Sequence, residues 1–238
     1  MKRIAIFFTV LAACAGPALA DDIDQLQNAS QAEFRLLSED LGAALSYKPL
    51  SPAEPLGITG FDIGLAVTAT DLEHSNVLEK VTSSSAFSTA IVPSLHLTKG
   101  LPLGIDVGAM YVKVPELDIS LWGVHAKYAI LDGGIAMPAL AVRGSYTRVS
   151  GIDQLDFDTK GLDISMSKGF AFLTPYVGAG IVWVTSTPRS DTGLREEKFE
   201  QSKLFGGINL NFGLFNMAFE ADRTGDANSY GAKIGLRF

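Results

Sequence analysis

The sequence predicts an all-β fold: an antiparallel up-and-down transmembrane β-barrel of about ten strands, preceded by a short N-terminal amphipathic helix. From residue 58 onward apolar residues recur at every second position, as in strands that bury one face. Hydrophobic residues make up 47% of the chain and charged residues only 19%. No segment after the N-terminus offers the roughly 20 consecutive apolar residues of a membrane helix. A membrane barrel accounts for both facts, because its apolar residues are spread along one face of each strand.

The N-terminus has the pattern of a secretory signal peptide. Lys2-Arg3 precedes the apolar stretch 4–13, and Ala18-Leu19-Ala20 forms a small-residue cleavage site. The only cysteine, Cys14, lies inside this segment and would leave with it. The mature chain would then lack both a disulfide and a thiol nucleophile. An alternative stays open, because Leu11-Ala12-Ala13-Cys14 resembles the lipobox of bacterial lipoproteins, in which the cysteine is lipidated.

We divide the chain into a signal peptide (1–20), an N-terminal helix with a proline-rich connector (21–56) and the barrel (57–238). Apolar residues between positions 22 and 41 recur at spacings near three and four, which favours an amphipathic helix. Prolines at positions 49, 52 and 55 follow. Because proline cannot donate a ladder hydrogen bond, we expect a stiff connector there.

The ten predicted strands are an even number, which returns the C-terminus to the side where the barrel begins. The connections near residues 100, 134, 170 and 214 are mostly short and rich in glycine or proline, as in periplasmic turns. Those near 71–87 and 186–198 are longer and polar, as in extracellular loops. We expect the N-terminal helix to lie against or within the mouth that bears the short turns.

Aromatic residues fall at both ends of the predicted strands on the apolar face. Amphipathic rings in these places are typical of the two interfacial girdles of a membrane barrel. The predicted extracellular girdle comprises Tyr111, Trp122, Tyr146, Trp183 and Tyr230. The predicted periplasmic girdle comprises Phe61, Tyr128, Phe212, Phe215 and Phe238.

The last ten residues, 229–238, alternate apolar residues with small or charged ones and end on phenylalanine. This segment resembles the C-terminal signal strand of Gram-negative outer-membrane β-barrels. The resemblance implies a location in the cell outer membrane, contact with outer-membrane lipid, and recognition of the terminal Phe238 by the barrel-assembly machinery. It extends over residues 56–238 through pattern alone, and it implies no binding or catalytic residue.

The other face of the predicted strands carries ionisable residues that would line the lumen. They are Asp62, His96, Asp106, His125, Lys127, Arg143, Asp163, Glu220, Asp222, Lys233 and Arg237. They either line a pore that filters by charge or pair with one another to fill a narrow lumen. Inward glycines leave space, which could hold water and a small solute or the N-terminal helix. Alternatively, these glycines only ease strand curvature.

The predicted turns also set neighbours across the lumen wall. A turn centred between residues 116 and 117 places Asp106 opposite Lys127. A final turn about residues 226 and 227 places Glu220 opposite Lys233. A three-residue turn centred on residue 101 would bring His96 beside Asp106.

Composition and spacing exclude several classes of function. A formal net charge of −7 opposes binding to nucleic acid. Three scattered histidines and no mature cysteine lack metal-ligand spacing, so we predict no metal site and no cofactor. No serine, histidine and acid combination indicates an activated nucleophile. We therefore predict no catalytic residue and expect a protein that is not an enzyme.

The predicted function is an outer-membrane β-barrel protein, either structural or a small porin-like channel for small polar solutes. One alternative is a soluble or lipid-anchored periplasmic β-barrel that binds an apolar ligand inside. Such a barrel would turn Ile63, Val107 and Val142 inward. A third possibility is an outer-membrane barrel enzyme. The sequence indicates neither the oligomeric state nor a transported solute.

Overall fold

Ten antiparallel strands close into a barrel in the computed structural model, in which each strand pairs with its sequence neighbours and β1 pairs with β10. The structure describes residues 25–81, 88–114, 119–152, 154–189 and 192–238. The strands are β1 (Phe61–Asp71), β2 (Thr89–Gly100), β3 (Ile105–Val114), β4 (Ile119–Asp132), β5 (Ala139–Ser150), β6 (Leu155–Ser167), β7 (Leu173–Pro188), β8 (Glu197–Phe212), β9 (Phe215–Thr224) and β10 (Ala227–Arg237). The predicted ten-stranded barrel with a short N-terminal helix is confirmed. The predicted signal peptide and Cys14 lie outside the described residues.

Alternation along the strands sorts their side chains between two environments. In β4, burial alternates at every residue from Leu121 to Ile130. The outward positions include Trp122 and Tyr128, and the inward positions include Lys127. Because side chains of a strand point to opposite faces in turn, the period-two pattern alone sets which face each residue occupies.

The barrel has two different ends. The turn end bears the connections 101–104, 133–138, 168–172 and 213–214. The loop end bears the remaining connections, among them the long β1–β2 loop, which contains the helix α2 (Ser75–Val81).

The N-terminal helix α1 (Gln31–Leu45) begins with a capping box. The Ser30 side chain accepts a hydrogen bond from the Glu33 backbone N–H, and the Glu33 carboxylate accepts one from the Ser30 N–H at 2.9 Å. A 3-10 turn, Leu26–Asn28, precedes the helix. In the described ranges, no helix combines the length and the apolar character needed to cross a membrane.

Helix α1 and the connector lie inside the barrel, and we call residues 31–56 the plug. Thr147, near the loop end of β5, donates to the carbonyl oxygen of Leu45 at 3.0 Å. Nearer the turn end, the Lys127 amine donates to the carbonyl oxygen of Pro52 at 3.0 Å. The chain therefore descends the lumen from the loop end to the turn end, where β1 begins.

The expected position of the helix at the mouth with the short turns is wrong. Residues 46–60 contain no helix, and an extended chain rises about 3.3 Å per residue, so this connector carries α1 to the far end of the lumen. Leu37 and Leu41 of α1 are buried there against inward apolar residues such as Val149. An apolar helix face is stable only where apolar partners exist.

Two of the three predicted pairings are also wrong. Asp106 lies opposite Lys127, as predicted. Glu220, however, lies opposite Gly231, because the final turn is formed by residues 225 and 226, one position earlier than predicted. His96 lies opposite Met110 because the β2–β3 turn is centred on Leu103, two residues later than predicted.

Candidate functional site: the plugged lumen

The loop-end half of the lumen is an apolar core. Phe34 and Leu37 of α1 and Val81 of α2 are buried in it. The barrel wall contributes Val92, Met110, Val112, Leu121, Val149, Leu155, Phe157, Val182 and Val184. Sequence reasoning missed this core because it took the inward face to be small or charged throughout. Runs of consecutive apolar residues, 110–112 and 182–184, were the available signal, since they make both faces of a strand apolar.

The remainder of the lumen is polar and holds the predicted ionisable residues. Buried there are Asp62, His96, Asp106, His125, Lys127, Arg143, Asp163, Glu220, Asp222 and Lys233, whereas Arg237 is half-buried. The structure brings several of them together in ion pairs within the wall. The Lys127 amine lies 2.9 Å from Asp106, the Lys233 amine 2.9 Å from Asp62, and the Arg143 guanidinium 3.6 Å from Asp163.

The plug adds an ion pair of its own to this network. The Lys48 amine donates to the two carboxylate oxygens of Asp222 at 2.7 and 2.9 Å and to the Ser229 hydroxyl at 3.1 Å. Glu220, left without its predicted partner, accepts hydrogen bonds from the Leu50 backbone N–H at 3.1 Å and the Tyr176 hydroxyl at 3.0 Å. Buried charges need such partners, and here the plug supplies part of them.

Lys203 is a further lumen residue that sequence reasoning missed. Its side chain is buried, and its amine donates to the Tyr47 carbonyl oxygen at 2.7 Å. The apolar alternation of this strand begins in the sequence only at Leu204, one residue after Lys203. The structure extends β8 back to Glu197.

The connector meets the wall mainly through its backbone. The Lys127 amine, which binds the Pro52 carbonyl oxygen, also donates to the Glu54 carbonyl oxygen at 3.0 Å. The Asp106 carboxylate accepts from the Leu56 backbone N–H at 3.1 and 3.3 Å. Prolines in this segment remove N–H groups that would otherwise need acceptors inside the barrel. A proline-rich chain is therefore well suited to a confined lumen.

One inward glycine makes room for the plug. A Cβ atom at Gly231 would lie 2.8 Å from the Cδ2 atom of Leu50. Gly64 and Gly108 instead approach wall side chains, Lys233 and His125 respectively. Space in the lumen is thus taken by the N-terminal segment at Gly231 and by neighbouring strands at the other two positions.

The β1–β2 loop binds to helix α1. The Asp40 carboxylate accepts from the His74 backbone N–H at 2.8 Å and contacts the His74 Nδ1 atom at 3.3 Å. Burial raises the pKa of Asp40, and these contacts with His74 oppose the rise. Lys80 of α2 also donates to Glu33 at the start of α1. These contacts tie α1 to the β1–β2 loop at the loop end.

The outer surface carries the predicted aromatic residues. Near the loop end, Tyr111, Trp122, Trp183 and Tyr230 are exposed, and Tyr146 is half-buried with its ring 5.5 Å from that of Trp122. Near the turn end, Tyr128, Phe212, Phe215 and Phe238 are exposed, and Phe61 is half-buried with its ring 5.6 Å from that of Phe238.

Between these two sets of aromatic residues the outer surface is apolar. Ile63 is 43% exposed and Val107 37% exposed, and Val142 is half-buried beside the outward Tyr128. A soluble barrel with an apolar cavity requires the opposite orientation, so this arrangement contradicts that alternative. In the part of the chain that the structure describes, no three His, Cys, Asp or Glu side chains come together as a metal site. The absence of a metal, a cofactor and an enzymatic activity stays a prediction.

These features define an antiparallel β-barrel with an apolar outer belt and a lumen filled by its own N-terminal segment.

No family model and no curated protein sequence matches the chain. Among solved structures it is similar to the N-terminal β-barrel domain of Pseudomonas aeruginosa OprF, with 14% identity over 74% of this chain and 97% of that chain and a TM-score of 0.39. It is also similar to Neisserial surface protein A, with 12% identity over 75% and 96% of the two chains and a TM-score of 0.32. A third similar structure is Ail, the attachment invasion locus protein of Yersinia pestis, with 11% identity over 75% of this chain and 97% of that chain and a TM-score of 0.29. Similarities this weak carry no argument about function.

Proposed function

We propose that the chain is an outer-membrane β-barrel protein whose lumen is closed by its own N-terminal segment, so that it is a structural barrel rather than an open pore. The outer belt supports the membrane location, because apolar side chains flanked by two sets of aromatic rings match a lipid environment. Strands of 10 to 16 residues are long enough to cross, since a tilted strand needs about 9–11. Export by a signal peptide ending at residue 20, and recognition of Phe238 by the barrel-assembly machinery, belong to the same proposal.

The observation that carries the closed state is the course of the plug. It occupies the lumen from the loop end to the turn end, and its contacts with the wall range from Gln31 to Leu56. A solute would have to displace an apolar core as well as the Lys48–Asp222 ion pair. We therefore expect no steady conductance.

A second candidate is a channel that opens when the plug leaves. The wall ion pairs Asp106–Lys127 and Asp62–Lys233 join strand to strand and would remain after departure of the plug. The emptied lumen would keep a charged lining, as a filter for small polar solutes requires.

Conductance in planar lipid bilayers tests both candidates when the plug is locked by a disulfide. The hydroxyl oxygens of Ser38 in α1 and Ser186 in β7 lie 2.9 Å apart, so Ser38→Cys with Ser186→Cys ties the plug to the wall. Thr147→Cys with Thr159→Cys is the control disulfide, and because it also removes the Thr147–Leu45 hydrogen bond, it leaves the plug freer instead of tying it to the wall. Its hydroxyl oxygens lie 2.7 Å apart, and it joins two neighbouring wall strands.

We expect the mature protein, recovered from the outer-membrane fraction, to show no conductance with or without either disulfide. A steady open conductance would refute the closed barrel. Openings abolished by the Ser38/Ser186 disulfide but kept with the control disulfide would establish the gated channel.

A further inference from the structure

The turn end of the barrel presents apolar side chains at the tips of its connections. Leu103 is 85% exposed, Ile135 103% and Leu214 62%, and Phe170 in the remaining turn is exposed as well. Ile58, just before β1, is 65% exposed. We call Ile58, Leu103, Ile135, Phe170, Phe172 and Leu214 the turn-end rim. Exposed apolar groups gathered at one end of a molecule indicate a surface that something covers.

The turn-end rim adjoins the apolar outer belt, with the charged side chains Lys99, Asp132 and Lys168 lying among its apolar residues. The Phe172 ring stacks on that of Phe212, with 5.4 Å between centroids. Below Tyr128, Ile130 is exposed on the same face, and the strand leads to Ile135 at the tip.

The loop end differs in this respect. Two residues beyond Tyr111 on the outer face lies Lys113, and two residues beyond Tyr146 lies Arg148, both exposed. At the loop end charged side chains thus follow the aromatic residues, whereas at the turn end apolar side chains reach the tips of the turns with a few charged ones among them. The shared apolar character indicates that whatever covers the belt also covers the turn-end rim.

Lysine amines bind the backbone carbonyl groups of these turns. Lys168 donates to the carbonyl oxygens of Gly134 and Ile135 at 2.7 Å each, and to that of Met137 at 3.4 Å. Lys99 donates to the carbonyl oxygens of Ile58 and Gly60. Turn carbonyls normally bind water, and where lipid limits the access of water a partner within the protein satisfies them instead. The ammonium groups also suit the phosphate groups of lipid heads at a membrane interface.

From the exposed apolar side chains at the turn tips and the lysine-bound carbonyl groups, we propose that the turn-end rim inserts into the headgroup region of a phospholipid leaflet. The barrel then ends inside the membrane interface instead of projecting beyond it. This inference rests on the proposed membrane location and adds where one edge of the bilayer lies. A second copy of the chain or a protein partner seated on the turn-end rim would be a different result, and the experiment below distinguishes it.

Tryptophan fluorescence in vesicles tests the proposal. In a mature chain carrying Trp122→Phe and Trp183→Phe, one tryptophan is placed by Ile135→Trp at the turn-end rim. Ile164→Trp places it in the middle of the belt, where the side chain is 49% exposed. Asp226→Trp places it in the short β9–β10 turn at the loop end, as the matched control. Phe170→Trp is a second rim position, in case the first variant does not fold, and folding is checked by heat-modifiable migration.

The vesicles contain phosphatidylcholine brominated either near the headgroup or deep in the acyl chain. We expect the rim tryptophan to show blue-shifted emission and to lose intensity with bromine near the headgroup. The belt tryptophan should lose intensity with deep bromine, and the control tryptophan with neither.

The remaining outcomes separate this inference from the proposed function. A rim tryptophan that is not quenched, while the belt tryptophan is, would overturn the inference and leave the membrane barrel intact. Blue-shifted but unquenched emission at the turn-end rim would overturn it in favour of a protein partner or a second copy. If neither tryptophan is quenched, the membrane location itself is wrong.

Discussion

Lys48 and Asp222 form a buried ion pair between the plug and strand β9, across a separation of 174 residues in the chain. Each side chain is about 5% exposed or less. Lys48→Met would leave a carboxylate buried without its cation, and we expect it to lower the free energy of unfolding by about 3–5 kcal/mol. The measurement is urea unfolding in lipid vesicles.

The double variant Lys48→Met with Asp222→Asn should lose less than the sum of the two single variants, because it leaves no buried charge unpaired. Arg223→Met is the control. Its side chain and that of its partner Asp226 are 61% and 85% exposed, so its effect should stay within about 1 kcal/mol. Additive effects at Lys48 and Asp222 would show that the two charges do not interact.

Lys233 should be energetically coupled more strongly to Asp62 than to Glu220. The structure pairs it with Asp62 on β1, so Asp62→Asn and Lys233→Met should couple by about 0.5–3 kcal/mol in a double-mutant cycle read by urea unfolding. Glu220→Gln in place of Asp62→Asn should give a smaller coupling. A larger coupling with Glu220 would restore the register first expected from the sequence and contradict the observed final turn.

Gly231 should be sensitive to a single added methyl group. Gly231→Ala places a Cβ atom 2.8 Å from Leu50, and overpacking of this kind lowers the free energy of unfolding by about 1–3 kcal/mol. The additional change Leu50→Ala should remove most of that penalty, measured against Leu50→Ala alone. Gly144→Ala is the control, because no atom lies within 4 Å of the position of its Cβ. An equal effect of Gly231→Ala with and without Leu50 would argue against the observed path of the plug.

Phe238 lies beside Phe61, and the two exchange backbone hydrogen bonds of 2.7 and 3.0 Å. Phe238→Ser keeps these backbone groups but removes the ring. We expect normal refolding of this variant from urea into vesicles but a loss of folded protein from the outer membrane of cells. Equal losses in both assays would indicate a structural role for the ring, and normal levels in cells would refute the proposed recognition by the assembly machinery.

The pattern of the sequence was sufficient for the wall of the barrel. Whether Asp62 or Lys127 faces inward depends only on an odd or even position in its strand, which a turn shifted by one residue does not change. Opposite partners depend on the turn itself. The symmetric turn about 116 and 117 therefore gave Asp106 and Lys127 correctly, whereas the turn at 225 and 226 changed the partner of Glu220.

The interior was much less predictable. Residues 46–56 have no period of two or of 3.6, because prolines interrupt them, so no pattern indicated which wall residues they meet. The partners of Lys48 and Leu50 lie 174 and 170 residues away in the chain. Contacts of that range depend on the closed barrel and leave no local signal.

The position of the plug also sets an order of events during folding. Its first half meets side chains on β7 and β8, and Lys48 reaches both Asp222 on β9 and Ser229 on β10. The N-terminal segment leaves the export machinery first, yet several of the groups that bind it belong to the strands that leave last. Contacts between such distant residues form slowly, because a long loop must be ordered before they stabilise anything. The barrel therefore cannot be filled before its final hairpin arrives, and we expect the seam between β1 and β10 to close in the same step in which the plug takes its place.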